Sequence, residues 1–231
     1  MEQLRCDFHI HTKYSLEPVM FGIFKTTPLF GPEQLIKHAV KQKLDVIAIT
    51  DHDTIKGAQI GEKLLKKMKE KIILIKGEEI STKDGHLIGL GLEENIKPGL
   101  TAEESIDKIK KQGGISIAPH PFTPFGLRNK ILNLNLDGIE TKNLWAVFLN
   151  KNRKANKYAK KMKLAKIGSS DAHSLSAVGK VYTDVTAKQS NVDSILKAIK
   201  NRQTVPGSRI TPHGAMWTLI KGTCLTLRVW Q

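Results

Sequence analysis

Apolar residues fall along this chain in two alternating rhythms. Short runs such as 46–49 (Val-Ile-Ala-Ile) and 72–75 (Ile-Ile-Leu-Ile) have the length and β-branched content of buried strands. Between such runs lie longer stretches with apolar positions every three or four residues. In 32–43, Leu35, Ile36, Ala39 and Val40 share one helical face, and Pro32 suits a first helical turn. Read this way, the pattern predicts strands at 4–9, 45–50, 72–75, 86–92, 115–118, 136–140, 165–168 and 181–185. Helices are predicted at 32–43, 55–71, 101–112, 150–163 and 192–200, the last closing the regular part. Thr101 followed by Glu104 has the spacing of a capping box, and Gly113-Gly114 stops that helix. Alternating strands and helices indicate an α/β fold, and a parallel barrel carries its site at the carboxyl ends of its strands.

No linker, repeat or low-complexity tract divides the 231 residues, so one domain over 1–210 is expected, with an apolar, aromatic tail at 211–231 (Trp217, Trp230) packed against it. Residues 15–31 form a Phe- and Pro-containing excursion, expected as a loop near the site. No apolar stretch approaches the ~18–20 residues of a membrane span, and the N-terminus lacks the basic-then-apolar pattern of a signal peptide. Cys6 and Cys224 are too far apart in sequence to suggest a metal pair. Together these features predict a reduced, cytoplasmic protein. The net charge of +15 favours anionic partners, nucleic acid and nucleotides among them, although a solvated lysine surface would have the same charge.

The chemistry lies where predicted strands end. His9 and His11 are two apart in an extended segment, so both imidazoles can meet one ion, with Asp7 at the same parity to orient a ring from behind. Thr50-Asp51-His52-Asp53 follows an apolar run, and such charges are costly to bury unless paired or metal-bound. Glu79 follows the third strand in Gly77-Glu78-Glu79-Ile80-Ser81. His120 stands between Pro119 and Pro121, and Asp171 and His173 form a second i, i+2 pair. His86 is the exception, since it begins a strand. Each fragment alone has an ordinary explanation in surface histidines or turns. Five strand ends offering His, Asp or Glu together point to a metal site, and nitrogen and oxygen donors without cysteine favour Zn²⁺, Mn²⁺ or Fe²⁺.

The series His9-x-His11, Thr50-Asp51-His52-Asp53, Gly77-x-Glu79, His120-Pro121 and Ser170-Asp171-Ala172-His173 resembles the polymerase and histidinol phosphatase (PHP) superfamily, over nearly the whole chain from Asp7 to about Gly207. Gly-Glu-Glu-Ile-Ser-Thr with His86-Leu-Ile-Gly is similar to its stand-alone phosphoesterase branch. The resemblance implies a distorted, seven-stranded TIM-like (β/α) barrel with two or three divalent ions. It implies a first ion at His9, His11, Glu79 and Asp171, a second at His52 and His173, and a third at His120 with His86, Glu79 bridging. Many relatives carry an acidic residue directly after Tyr-Ser of the first motif; here that position is Leu16, and Glu17 is the candidate substitute ligand.

The implied activity is hydrolysis of phosphate esters by metal-activated hydroxide, on nucleotides or oligonucleotide ends, with a phosphorylated small molecule or nucleic acid as partner and no membrane. Arg128, after His120-Pro121-Phe122, is the candidate phosphate clamp, and Asp51 is expected to support ligands from behind. By family analogy Asn143 and Asn152 lie near the site. No acidic residue occurs between Glu140 and Asp171, so the lysine-rich segment there is either a solvated face or an attractor of polyanions. Two other functions compete: a histidinol-phosphate-type phosphatase, and a noncatalytic nucleic-acid-binding barrel.

Overall fold

The computed structural model describes residues 1–16, 27–144 and 151–211. Glu17, most of the 15–31 excursion and the tail beyond Thr211, with Trp217 and Trp230, lie outside the described residues. The elements in chain order are β1 (Glu2–Asp7), α1 (Pro32–Lys41), β2 (Val46–Ile49), α2 (Lys56–Leu65), β3 (Ile73–Thr82), β4 (Gly85–Leu90), α3 (Ala102–Lys111), β5 (Ile115–Ala118), β6 (Gly138–Asn143), α4 (Lys151–Met162), β7 (Ala165–Ser169), β8 (Val181–Ala187), α5 (Val192–Lys200) and β9 (Thr204–Ser208). A 3₁₀ turn at Arg128–Asn133 joins β5 to β6. The capping box of α3 forms, with Glu104 N–H donating to Thr101 Oγ1 and Thr101 N–H to Glu104 Oε2.

All nine strands join one sheet in the order β7-β6-β5-β4-β3-β2-β1-β8-β9, which curls into a nearly closed barrel. Among the described residues the strands number nine rather than seven, and pairing is mixed. β1, β2 and β3 run parallel, as do β5, β6 and β7, while β4, β8 and β9 are antiparallel to their neighbours. The expected reading had no strand at 204–208, because Pro206 and Gly207 break a strand pattern; as the edge strand of the sheet, β9 tolerates a proline that donates no ladder bond.

Closure between β7 and β8 relies on a side chain. Thr183 Oγ1 donates to Gly168 O and accepts from Gly168 N–H, each at 2.8 Å. Gly168 is required there, since a Cβ would lie 2.4 Å from Tyr182 O. Cys6, Phe8, Val46, Ala48, Ile75, Ile117, Ile167 and Val185 share one buried cluster, completed by Ile195, Leu196, Ala198 and Ile199 of α5. Helices α1 and α2 cover one outer flank through Leu35, Ile36, Ala39 and Ala58, while α3 and α4 cover another.

Hydrogen bonds extend the ladders beyond the strands to the carboxyl-end rim. His11 N–H donates to Ala172 O and Ala172 N–H to His9 O, while Asp53 N–H donates to Glu79 O and Glu79 N–H to Asp51 O. The motif residues are thereby tied to one another across strands before any side chain acts.

Candidate metal centre

Among the described residues, eight side chains converge at this rim: His9, His11, His52, Glu79, His86, His120, Asp171 and His173. Their donor atoms form four overlapping groups, each within 4.8 Å: His9–His11–Asp171, His9–Glu79–His120, His52–Glu79–His86 and His11–His52–His173. The groups keep His9, His11 and Asp171 together, and His52 with His173, as expected from the motifs, but separate His120 from His86. His120 groups with His9 and Glu79, and His86 with His52 and Glu79, while His11 joins His52 and His173. Glu79 is the hub, with Oε2 3.0 Å from His9 Nε2, 3.2 Å from His11 and 3.3 Å from His52, and Oε1 2.9 Å from His120 and 3.0 Å from His86.

The place of His86 follows from topology. β4 is antiparallel to β3, so its first residues lie level with the end of β3, Ser81 pairing with His86. A residue that begins a strand therefore reaches the rim where the parallel strands end.

Depth divides the cluster. His9 and His11 are fully buried and Glu79 nearly so. His86 and His173 retain side-chain exposures of 14% and 19%, which places the mouth of the site on their side. The ring of Phe125 lies parallel to that of His86 with centroids 5.6 Å apart, and Phe125 is exposed beside this mouth.

The donor chemistry fits divalent cations. His9 Nδ1 donates to Glu140 Oε1 at 2.9 Å, which leaves Nε2 aimed at the shared space. There it lies 3.0 Å from His11 Nε2, 3.0 Å from Glu79 Oε2 and 3.4 Å from Asp171 Oδ1. So many lone pairs at such distances repel unless protons or metal ions stand between them. Protons serve when no cation is bound. Burial pulls the His11 pKa down, but Asp171 and Glu79 outweigh it and push the ring up to about 10. His9 rises well above its ordinary value for the same reason, against burial, through Asp171, Glu79 and Glu140. Burial would raise the Glu79 carboxyl, yet His52, His9 and His86 hold it well below the usual carboxylate range.

Backbone strain accompanies the cluster. His120 and Asp171 adopt φ of 24° and 51°, where side chains other than glycine are rare. His120 is pinned by its N–H donating to Glu140 Oε2 at 2.7 Å and by Thr123, whose N–H and hydroxyl both donate to His120 O.

Glu140 was missed in the sequence. Fully buried in the middle of β6, it binds His9 and His120, and it accepts from Asn143 Nδ2, which also reaches Asp171 Oδ2 at 3.2 Å. A lone Glu-Thr-Lys carries no motif; the available signal was its position at the end of the strand expected at 136–140. Ser15, 3.2 Å from His11 Nδ1, was likewise missed. Asn152 holds the backbone of Asn143 through two hydrogen bonds.

Asp7 acts otherwise than expected. Its carboxylate accepts from the backbone N–H of Ser170 and Gly179 and so fixes the turn that carries Asp171. The alternation counted from Asp7 does not continue, because Phe8 belongs to the barrel interior and Ile10 to the outer cluster under α1. Burial raises Asp7 to about 6 despite these hydrogen bonds. Asp51 accepts from Thr12 N–H and Oγ1, clamping the segment after His11, and a Cβ on Gly57 would lie 2.0 Å from Asp51 Oδ2. Arg128 is exposed in the loop after His120, its backbone N–H donating to Pro121 O and its guanidinium to Pro124 O.

Comparison with known proteins agrees with this geometry. The model of the PHP-associated family matches residues 150–204. An uncharacterised protein of Methanocaldococcus jannaschii, MJ1587, is 42% identical over 144 residues, which is 62% of this chain and 83% of the relative. A two-domain protein from Bacteroides vulgatus containing a predicted PHP-like metal-dependent phosphoesterase superposes with a TM-score of 0.72 at 23% identity, over 90% of this chain and 65% of that one. This chain thus spans a little under two thirds of that protein. Endonuclease Q, in complex with a 27-mer duplex bearing an abasic lesion, superposes with a TM-score of 0.59 at 19% identity, over 87% of this chain and 57% of that one. The match to the PHP-associated family and the fold shared with a PHP-like protein both support the PHP superfamily.

Proposed function

We propose that this chain is a metal-dependent phosphoesterase, a hydrolase of phosphate esters acting on nucleotides or oligonucleotide ends. The observation that carries the reading is the convergence of eight imidazole and carboxylate side chains, from strand ends far apart in sequence, on one buried rim. His9, His11, Glu79 and Asp171 would hold one cation, His52 and His173 a second, and His120 with His86 a third, with Glu79 the one residue shared between cations. Nitrogen and oxygen donors without thiolate suit Zn²⁺, Mn²⁺ or Fe²⁺. When bound, such cations acidify water towards a pKa of ~7 and offset phosphoryl charge.

The protein's own residues supply orientation. Glu140 keeps the Nδ1 proton on His9, Thr123 approaches His120 Nδ1 at 3.1 Å, and Asn143 restrains Asp171. Arg128, exposed in the His120 loop, is the proposed phosphate clamp once a substrate draws its guanidinium from Pro124 O. The similarity to a nuclease in complex with DNA supports a nucleic-acid substrate. Residues 1–210 form the catalytic domain in this reading, and 211–231 an appended tail. A reduced, cytoplasmic setting suits the buried free thiol of Cys6. Among the described residues no helix is long and apolar enough to cross a membrane.

Protein purified without chelator should contain more than one equivalent of transition metal by elemental analysis. Asp171→Asn should abolish hydrolysis of an aryl phosphate while its circular dichroism stays that of the wild type. Full activity in this variant would sink the assignment.

A further inference from the structure

The end of the barrel opposite the metal centre carries a pocket that the proposed hydrolysis does not use. It has a volume of about 540 Å³ and is lined by Ala159, Lys160, Lys163, Leu164, Lys166, Arg202 and Thr204. Four of these side chains are cationic, and none has a carboxylate partner among the described residues. Arg202 is held in place by donating to Lys163 O at 3.2 Å, and both residues take left-handed backbone conformations, φ 60° and 55°. The Thr204 hydroxyl, buried in the pocket wall, has no hydrogen-bond partner among the described residues.

Strand register fixes the position. Thr204 pairs with Val185, which pairs with Leu4, so the pocket lies level with the start of β1. His9 stands five residues further along, about 16 Å away at ~3.3 Å per residue. Helix α4 connects the two ends. It begins beside the metal rim, where Asn152 binds Asn143, and finishes at the pocket with Lys160 and Lys163. Arg153, Lys157 and Lys160 recur along its exposed face at helical spacing, and no acidic residue interrupts the sequence between Glu140 and Asp171. Cations left unpaired and close together repel one another, which a stable surface avoids unless an anion neutralises them.

We propose that this pocket is a second phosphate-binding site, which grips the backbone of a single nucleic-acid strand whose end lies at the metal centre, with the exposed face of α4 as the track between them. The separation along the strands is several times the ~3.4 Å axial rise per phosphate of one strand of a duplex, too far for a single nucleotide to bridge. A mononucleotide cannot occupy both sites, so the substrate class narrows to oligonucleotides. A concave pocket joined to a narrow stripe suits a strand better than a flat anionic membrane. The inference rests on the phosphoesterase reading only for what is cut; the binding is tested apart from it.

The test compares Lys160→Gln/Lys163→Gln/Lys166→Gln with the control Lys67→Gln/Lys69→Gln/Lys71→Gln, whose exposed lysines lie beyond α2 and which removes the same net charge. Binding of a fluorescein-labelled, phosphorothioate-linked oligothymidylate of about twelve nucleotides is followed by anisotropy over a range of salt concentrations. The pocket variant should lose about tenfold or more in affinity and reduce the salt slope by about 2, at ~0.7 per phosphate contact, with the control within about threefold of wild type. Activity on an aryl phosphate should be unchanged in both. Wild-type affinity in the pocket variant, an equal loss in the control, or pocket-dependent binding to phosphatidylglycerol vesicles in place of the oligonucleotide would each overturn the proposal. Absence of hydrolysis with pocket-dependent strand binding would remove the phosphoesterase reading and leave this one standing.

Discussion

Glu78 and Glu79 are neighbours on β3, both buried, and they behave in opposite ways. Adjacent residues of a strand face opposite sides of the sheet. Glu79 faces the rim, where its two oxygens meet five imidazoles. Glu78 faces outward beneath the segment at Ile96, with Oε2 accepting from Ile96 N–H at 2.9 Å and Oε1 without a partner among the described residues. Burial raises Glu78 to about 7, the Ile96 hydrogen bond only partly opposing it. Equal burial therefore leaves one carboxylate fully ionised and the other near half-protonated at neutral pH. What decides the charge is the company each oxygen keeps, and only Glu79 is equipped to share a cation.

Replacing the hub tests this contrast most severely. Glu79→Gln keeps the shape but removes the charge that all five imidazoles share, so hydrolysis should fall by about 10³-fold or more and bound metal should drop. Steady-state kinetics with an aryl phosphate and elemental analysis on the same preparation check both. Retention of metal and rate would transfer the hub role to Asp171. The pH dependence of metal binding is next in size. His9 and His11 are held protonated by Asp171 and Glu79 when no cation is present, His11 up to about 10. A cation must displace those protons, so apparent affinity should fall by at least about tenfold for each pH unit below neutrality. Calorimetric titration in buffers of different ionisation enthalpy should show proton release; its absence would mean that the lone pairs are already free.

Much of this was legible in the sequence, for a physical reason. Strand β5 fell on the expected residues, and α5 likewise, because a buried apolar run and a regular amphipathic stretch each leave a periodic trace. The i, i+2 rule brought His9 and His11 together correctly, their Nε2 atoms lying 3.0 Å apart. The same rule misplaced Asp7, since β1 ends at that residue and the alternation is interrupted before the segment that carries His9 and His11. Glu140 was invisible for another reason. Its importance comes from what meets it in space, His9 from β1 and the His120 backbone after β5, and no local spacing records that. β3 extends well past the apolar run that announced it, because its polar end pairs with β4, a partner whose direction the sequence did not reveal.

The smallest expected effect lies on the other side of β3 and concerns stability alone. Glu78 has a folded pKa of about 7 against an ordinary 4.5, so the folded protein holds its proton more tightly than the unfolded chain. The stability this contributes is fully present below pH 4.5 and is lost as pH rises through 7. Glu78→Gln cannot ionise, and its side-chain oxygen can still accept from Ile96 N–H. The unpartnered position then holds a neutral amide group, whose burial costs less than that of a carboxylate. The variant should match the wild type near pH 5 and exceed it by about 1–2 kcal/mol at pH 8, a rise of several degrees in thermal midpoint at ~2–4 °C per kcal/mol. Its hydrolytic rate should stay unchanged, as the side chain faces away from the rim. Destabilisation at pH 8 would mean that the Glu78 carboxylate has a cationic or water partner in solution, and that the two faces of β3 differ less than their contacts indicate.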